Sequence, residues 1–200
     1  MCVGRGHVLT LKSPSDFVLT QYGENLYDNV VLFAPQLHQR RWSVSVKDLG
    51  SFVDSGKNLM IIANSLSSVY LRDAVEEFGI SLDSEDSSVV DYFSHKKEAS
   101  PRDILTTNWI ENPLVVGSLA EHKQAAPVLY SGLGLAYRED SRFNFPILSA
   151  ESTGFSVEEC RFATDCLQSA GKDTVLVAGM QGRNNARVTV FGSSEMFSDS

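Results

Sequence analysis

The chain has 200 residues, 42% of them hydrophobic, with 17 basic and 25 acidic side chains for a formal net charge of −8. That is apolar material enough for one sizeable core, so a single domain over residues 1–200 is expected. The acid excess excludes a phosphate-backbone partner, because nothing here would concentrate a polyanion or release its counterions; no nucleic acid is expected.

In chain order, Val8 to Leu11 reads as a short strand, then Pro14-Ser15-Asp16 starts a helix that Gly23 stops after Tyr22. Asn29 to Ala34 is apolar at successive positions, the pattern of a strand covered on both faces. Ser45 opens a helix whose Val46, Leu49, Phe52 and Val53 share one face, with Gly56 as a left-handed stop. Leu59 to Ala63 is a second buried strand, and Ser67 or Ser68 to Phe78 a second amphipathic helix ending at Gly79. Strand-helix-strand-helix order predicts an α/β fold with a parallel sheet and helices on both faces.

The second half predicts a β-rich annex: Ser88 to Phe93, Ile104 to Thr106, Leu114 to Val116, Val128 to Tyr130 and Phe145 to Ser149 are short strand candidates. Ser94 to Arg102 reads as a surface insertion. Ser156-Val157-Glu158-Glu159 has capping-box spacing, which predicts a helix over 157–167. Val175 to Val177 and Val188 to Phe191 then flank a polar connection in which Asn184-Asn185 tolerate left-handed backbone, a hairpin.

Catalytic patterns are missing from the text. An α/β hydrolase needs its nucleophile on a strand-to-helix elbow, and Tyr130-Ser131-Gly132-Leu133-Gly134 has glycines only after the serine, while Gly117-Ser118 lacks them. Gly132-x-Gly134 is half of a dinucleotide fingerprint, better read as a turn, so no cofactor is expected. His7, His38, His95 and His122 are scattered in polar or terminal segments, as solvated histidines are. Asp83-Ser84-Glu85-Asp86 lacks the spacing and glycine of a calcium loop and reads as solvated; no metal is expected. Cys2, Cys160 and Cys166 cannot all pair, and on a helix Cys160 and Cys166 would face apart, so free thiols are expected. Trp42, Trp109, Tyr70 and Phe155 serve equally as core or as interface anchors.

Two places invite a functional reading. Gly192-Ser193-Ser194-Glu195 follows a Val-rich strand, where strand ends and helix N-termini present free N–H groups; serine capping is the alternative to a glycan or small-molecule site. Gln181, Arg183, Asn184, Asn185 and Arg187 carry guanidinium and amide groups suited to carboxylates, phosphates or carbonyls, or else shape and tie down the turn.

The run Gln181-x-Arg183-Asn184-Asn185-Ala186-Arg187-Val188, the closing Phe197-Ser198-Asp199-Ser200, the early Tyr22-Gly23-Glu24-x-Leu26-Tyr27-Asp28-Asn29 and Phe33-x-Pro35 resemble the DDOST-type subunit of the eukaryotic oligosaccharyltransferase. Phe52-Val53-Asp54-x-Gly56, Pro127 with Leu129, Ile147-Leu148 and Ala178-Gly179 fall in family order, while 36–43, 94–102, 118–124 and 155–172 match poorly. The family places an acidic-His-His element where this chain has Asp91-Tyr92-Phe93.

The resemblance implies an amidotransferase-like or flavodoxin-like α/β fold without the nucleophile, hence no catalytic residues and a scaffolding role beside the ribophorins and the catalytic transferase in the endoplasmic reticulum. It also implies a signal peptide, a first β-α unit, a second luminal domain and a membrane span, none of which is expected from this text: no stretch reaches the roughly 18 to 20 apolar residues of a span, and the first residues carry no apolar signal segment. In flavodoxin-like order the first strand lies between the second and third. Without it, Val8 to Leu11 and Val30 to Ala34 are expected to pair directly or to leave ladder groups and apolar surface exposed.

Overall fold

The computed structural model describes residues 6–33, 35–36, 42–110, 112, 115, 126–138, 140–158 and 166–198. Where a first helix was expected, the chain makes a turn at 14–16 and then a hairpin of β1 (Thr20–Gln21) and β2 (Glu24–Asn25). Gly23 is not a helix stop. Tyr22 at φ 51° and Gly23 at φ 83° supply the positive pair of a tight two-residue hairpin turn.

β3 (Asn29–Leu32) and β4 (Asn58–Ile62) run parallel, joined through α1 (Val46–Asp54). α1 starts with a complete capping box: Ser45 Oγ accepts from the Asp48 N–H, and the Asp48 carboxylate accepts from the Ser45 N–H at 2.7 Å. α2 (Val69–Glu77), capped by the Ser68 hydroxyl, leads to β5 (Ile80–Leu82) and β6 (Ser87–Val90). The stretch 94–102 is a turn-rich excursion whose base is tied by Leu105 N–H to the Ser94 carbonyl at 2.8 Å.

Short strands follow: β7 (Ile104–Thr106), β8 (Val128–Tyr130), β9 (Leu135–Tyr137) and β10 (Asn144–Ser149). Of the strand expected over Leu114 to Val116, only Val115 falls within the described residues. The segment expected as a helix opens as β11 (Phe155–Glu158), and β12 (Leu167–Ala170) follows; 159–165 lie outside the described residues. Pairing decides against the helix. Phe155 through Glu158 lie opposite Val90 through Ser87 on β6, and the Ser156 hydroxyl that could have capped a helix is turned inward to Asp83.

β13 (Val175–Gln181) and β14 (Arg187–Phe191) form the expected hairpin. The main sheet is β3-β4-β14-β13-β9-β5, with β10 also paired to β13. β14 is parallel to β4 and antiparallel to β13, as a hairpin requires, so the sheet is mixed rather than parallel throughout.

α1 and α2 lie on the same face, so among the described residues the expectation of helices on both faces is not met. Val30, Leu32, Leu59, Ile61, Val188 and Val190 pack there against Leu49, Phe52 and Val53 of α1 and Leu71, Ala74 and Val75 of α2. The alternate residues of β3, Asn29 and Val31, point to the face opposite α1 and α2, and Val31 stays 56% exposed. A second core gathers Val89, Ile104, Tyr130, Leu148, Leu176 and Val177.

Val8 to Leu11 form no strand and are exposed, and β3 ends the sheet with its outer edge unpaired among the described residues. Between them runs an apolar groove of about 650 Å³ lined by Val8, Leu11, Phe17, Val31, Phe33 and Trp42. Of the two outcomes expected for this margin, exposure is the one observed.

Candidate functional site

In open α/β sheets ligands sit outside the carboxyl ends of the parallel strands, here beyond Leu32, Ile62 and Phe191. Beyond Phe191 that space is taken by the connection from β8 to β9. Leu133 is fully buried, its N–H donates to the Gly192 carbonyl at 3.0 Å, and its own carbonyl accepts the Tyr130 hydroxyl. Val89 N–H donates to the Gly132 carbonyl at 3.0 Å, and the Ser193 hydroxyl to that of Ser131. A side chain at Gly192 would overlap the Leu133 carbonyl and the Tyr130 hydroxyl, and one at Gly132 the Gly192 carbonyl. The glycines allow the two backbones to meet at the end of β14.

Gly192 to Ser194 therefore spend their polar groups internally, while the Glu195 side chain is exposed. Ser193 Oγ accepts the Glu195 N–H at 3.2 Å at the start of a single 3-10 turn, Glu195–Phe197, and Asn64 Nδ2 donates to Ser194 Oγ at 3.4 Å. Ser193, not Ser194, does the capping. His7 is exposed and His95 half-buried in the 94–102 excursion; His38 and His122 lie outside the described residues. Among the described residues no three His, Cys, Asp or Glu side chains group as metal ligands.

The sequence does not announce the junction beside this plug. Asp83, at the end of β5, accepts the Ser156 hydroxyl from β11, and its N–H donates to the Gly134 carbonyl at 3.1 Å. Arg72 of α2 donates to the Asp83 carbonyl at 2.7 Å and lies 3.8 Å from Glu85. Burial raises the Asp83 carboxyl above its ordinary range, against the lowering by Ser156 and Arg72. Tyr130 is pushed well up by burial and then by the Asp83 charge. These groups seam the main sheet to β12-β11-β6.

The hairpin residues separate into two groups. Asn184 Nδ2 donates to the Val53 and Asp54 carbonyls, both at 2.8 Å, closing the C-terminus of α1, while its Oδ1 accepts the Ala186 N–H at 3.1 Å. Asn185 takes the left-handed backbone at φ 67° and its Oδ1 accepts from Gln181 Nε2 at 3.1 Å. Both asparagines are committed to the turn. Arg183 lies over the Phe143 ring at 5.4 Å, and Arg187 fixes its backbone N–H on Asn58 Oδ1 at 3.0 Å; both side chains are exposed.

Trp42 and Tyr70 are core, ring centroids 5.3 Å apart, and the Tyr70 hydroxyl donates to the Val44 carbonyl at 3.1 Å; burial and then the Asp48 charge push its phenol up. Cys166 is disulfide-bonded, which corrects the expectation of free thiols. Its partner must be one of the other two cysteines, Cys2 or Cys160, both outside the described residues. The argument for separated thiols assumed a helix over 157–167, whereas Val157 and Glu158 lie in β11 and Leu167 in β12.

Residues 3–200 match the family model described as "OST48, N-terminal domain". The chain is 37%, 34% and 31% identical to the dolichyl-diphosphooligosaccharide–protein glycosyltransferase 48 kDa subunits of Drosophila melanogaster, Danio rerio and Caenorhabditis elegans, over 98% of its own length and 45% of theirs. The solved structure described as "mmIFT52 N-terminal domain" shares the fold at TM-score 0.57 and 16% identity, covering 86% of this chain and 68% of that one.

Proposed function

The chain belongs to the OST48 N-terminal domain family, and on that premise we propose that it is a non-catalytic part of the oligosaccharyltransferase complex that supports transfer of dolichol-linked oligosaccharide to asparagine. Its role is to hold neighbouring subunits, the ribophorins and the catalytic transferase among them, through contact surfaces. The carrying observation is the plug: Leu133 and the Gly132–Gly192 backbone contact close the carboxyl end of β14, one of the places where an open α/β sheet seats a ligand. Membership gives the complex; the closed crevice supports a scaffold over a glycan-binding or catalytic module.

The disulfide at Cys166 supports the endoplasmic-reticulum lumen as the site of action, since structural disulfides persist in oxidising compartments.

The test is tagged expression in eukaryotic cells, mild-detergent purification and mass spectrometry of what co-purifies. Oligosaccharyltransferase subunits should be recovered with the wild-type chain, and purified chain alone should transfer no oligosaccharide to an Asn-x-Thr peptide. Transfer by the chain alone, lost on one polar substitution, would refute the reading.

A further inference from the structure

One row of polar side chains crosses the face opposite α1 and α2. Gln181 lies opposite Arg187 across β13 and β14, Arg187 beside Asn58 of β4, and Asn58 opposite Asn29 of β3. Each precedes or follows a residue of the helix-side core (Met180, Val188, Leu59, Val30), so alternation sends all four to the other face. The amides brace one another: Asn58 Nδ2 donates to Asn29 Oδ1 at 2.8 Å and Gln181 Nε2 to Asn185 Oδ1 at 3.1 Å.

The guanidinium of Arg187 takes no part in that bracing. The ion pairs among the described residues join Lys57 to Asp28 and Arg72 to Glu85, so Arg183 and Arg187 have no carboxylate partner there. Arg183 and Arg187, without a carboxylate partner among the described residues, join Lys57 at this margin of a chain with net charge −8, where Asp28 is already paired to Lys57. Arg183 is held by the Phe143 ring, so less of its side-chain freedom remains to be lost on contact than for a lysine on a loop, and Arg187 stands on a strand whose backbone is fixed by Asn58.

We propose that Arg183, Arg187 and the amide row form a docking margin for an acidic segment of a neighbouring subunit, its carboxylates on the two guanidiniums and its backbone on Gln181 and Asn29. The argument is charge complementarity. The acid-rich remainder of the surface repels such a segment, so the two arginines fix where it lands. This rests on the scaffold reading and names the chemistry of its partner.

The test compares the tagged protein with R183E/R187E and R183K/R187K in the same cells, counting co-purified oligosaccharyltransferase subunits at rising NaCl and measuring the melting temperature of each purified chain. The charge reversal should cut recovery of at least one subunit by roughly tenfold with melting unchanged, and the lysine pair should retain part of it with a steeper loss in salt. Full recovery with R183E/R187E overturns the docking margin and leaves the scaffold reading standing. A recovery loss matched by a drop in melting temperature overturns it too, because the arginines would then act within the fold. Absence of any subunit with the wild-type chain sinks the scaffold reading itself.

Discussion

The side-chain amide of Asn184 reaches the main-chain carbonyl of Val53, 131 residues earlier, at 2.8 Å, and thereby makes the β13–β14 turn the cap of helix α1. Asn184→Ala removes both donors to α1 and the acceptor for Ala186, so a loss of about 1–3 kcal/mol is expected by urea unfolding. Asn184→Asp should be no milder. It keeps the acceptor but sets a negative charge at the negative end of the helix dipole.

Gly192→Ala should be far more disruptive, because its new methyl group meets the Leu133 main chain and the Tyr130 hydroxyl with neither able to yield. A loss above about 3 kcal/mol, or insoluble protein, is expected. Tyr130→Phe keeps the ring and strands only the Leu133 carbonyl, for a loss of about 1–2 kcal/mol. Equal effects from the two would argue against a backbone-to-backbone plug.

Asp83 links stability to pH. Its carboxyl is raised in the fold, so the folded state holds the proton more tightly than the unfolded chain does. Its stabilising contribution is therefore complete below the ordinary aspartate value of about 3.9 and declines as pH rises through the raised value. Asp83→Asn keeps an acceptor for Ser156 without the charge, so its melting temperature should fall less steeply as pH rises above the ordinary aspartate value of about 3.9 than that of the wild type. Parallel curves would remove Asp83 from the account.

The bond at Cys166 predicts a thiol count. Of three cysteines, one disulfide takes two and leaves 3 − 2 = 1 free. Alkylation of the chain from a secretory host, followed by intact mass, should add one label before reduction and three after. Three labels without reduction would rule the bond out.

Legibility from sequence followed the length of the elements and the locality of their causes. α1 and α2 were readable because capping serines, an apolar face and a terminal glycine all lie within a dozen residues. The β13–β14 hairpin was readable from two valine-rich runs and Asn185. Ile80–Leu82 and Leu135–Tyr137 were not, since three residues display no period. Phe155 to Glu158 misled because the capping-box letters are equally a strand with one buried serine. Of the site, the five hairpin residues stood out as text, but nothing local said that Asn184 serves a helix on the far side of the chain or that Phe143 lies under Arg183. The Asp83–Ser156 seam joins residues 73 apart and left no mark in the sequence.

The unpaired margin of β3 also sets how the chain must be handled. Its open N–H and C=O groups lie beside Val8, Leu9 and Leu11, greasy side chains facing water. Such a rim recruits any extended polypeptide, another molecule of itself included. Light scattering of the purified chain should climb steeply with concentration, and a lysine at Val31, on the free face, should delay that climb without touching the helix-side core. An extended segment that paired with β3 would remove this liability and cover the apolar groove beside it in one step.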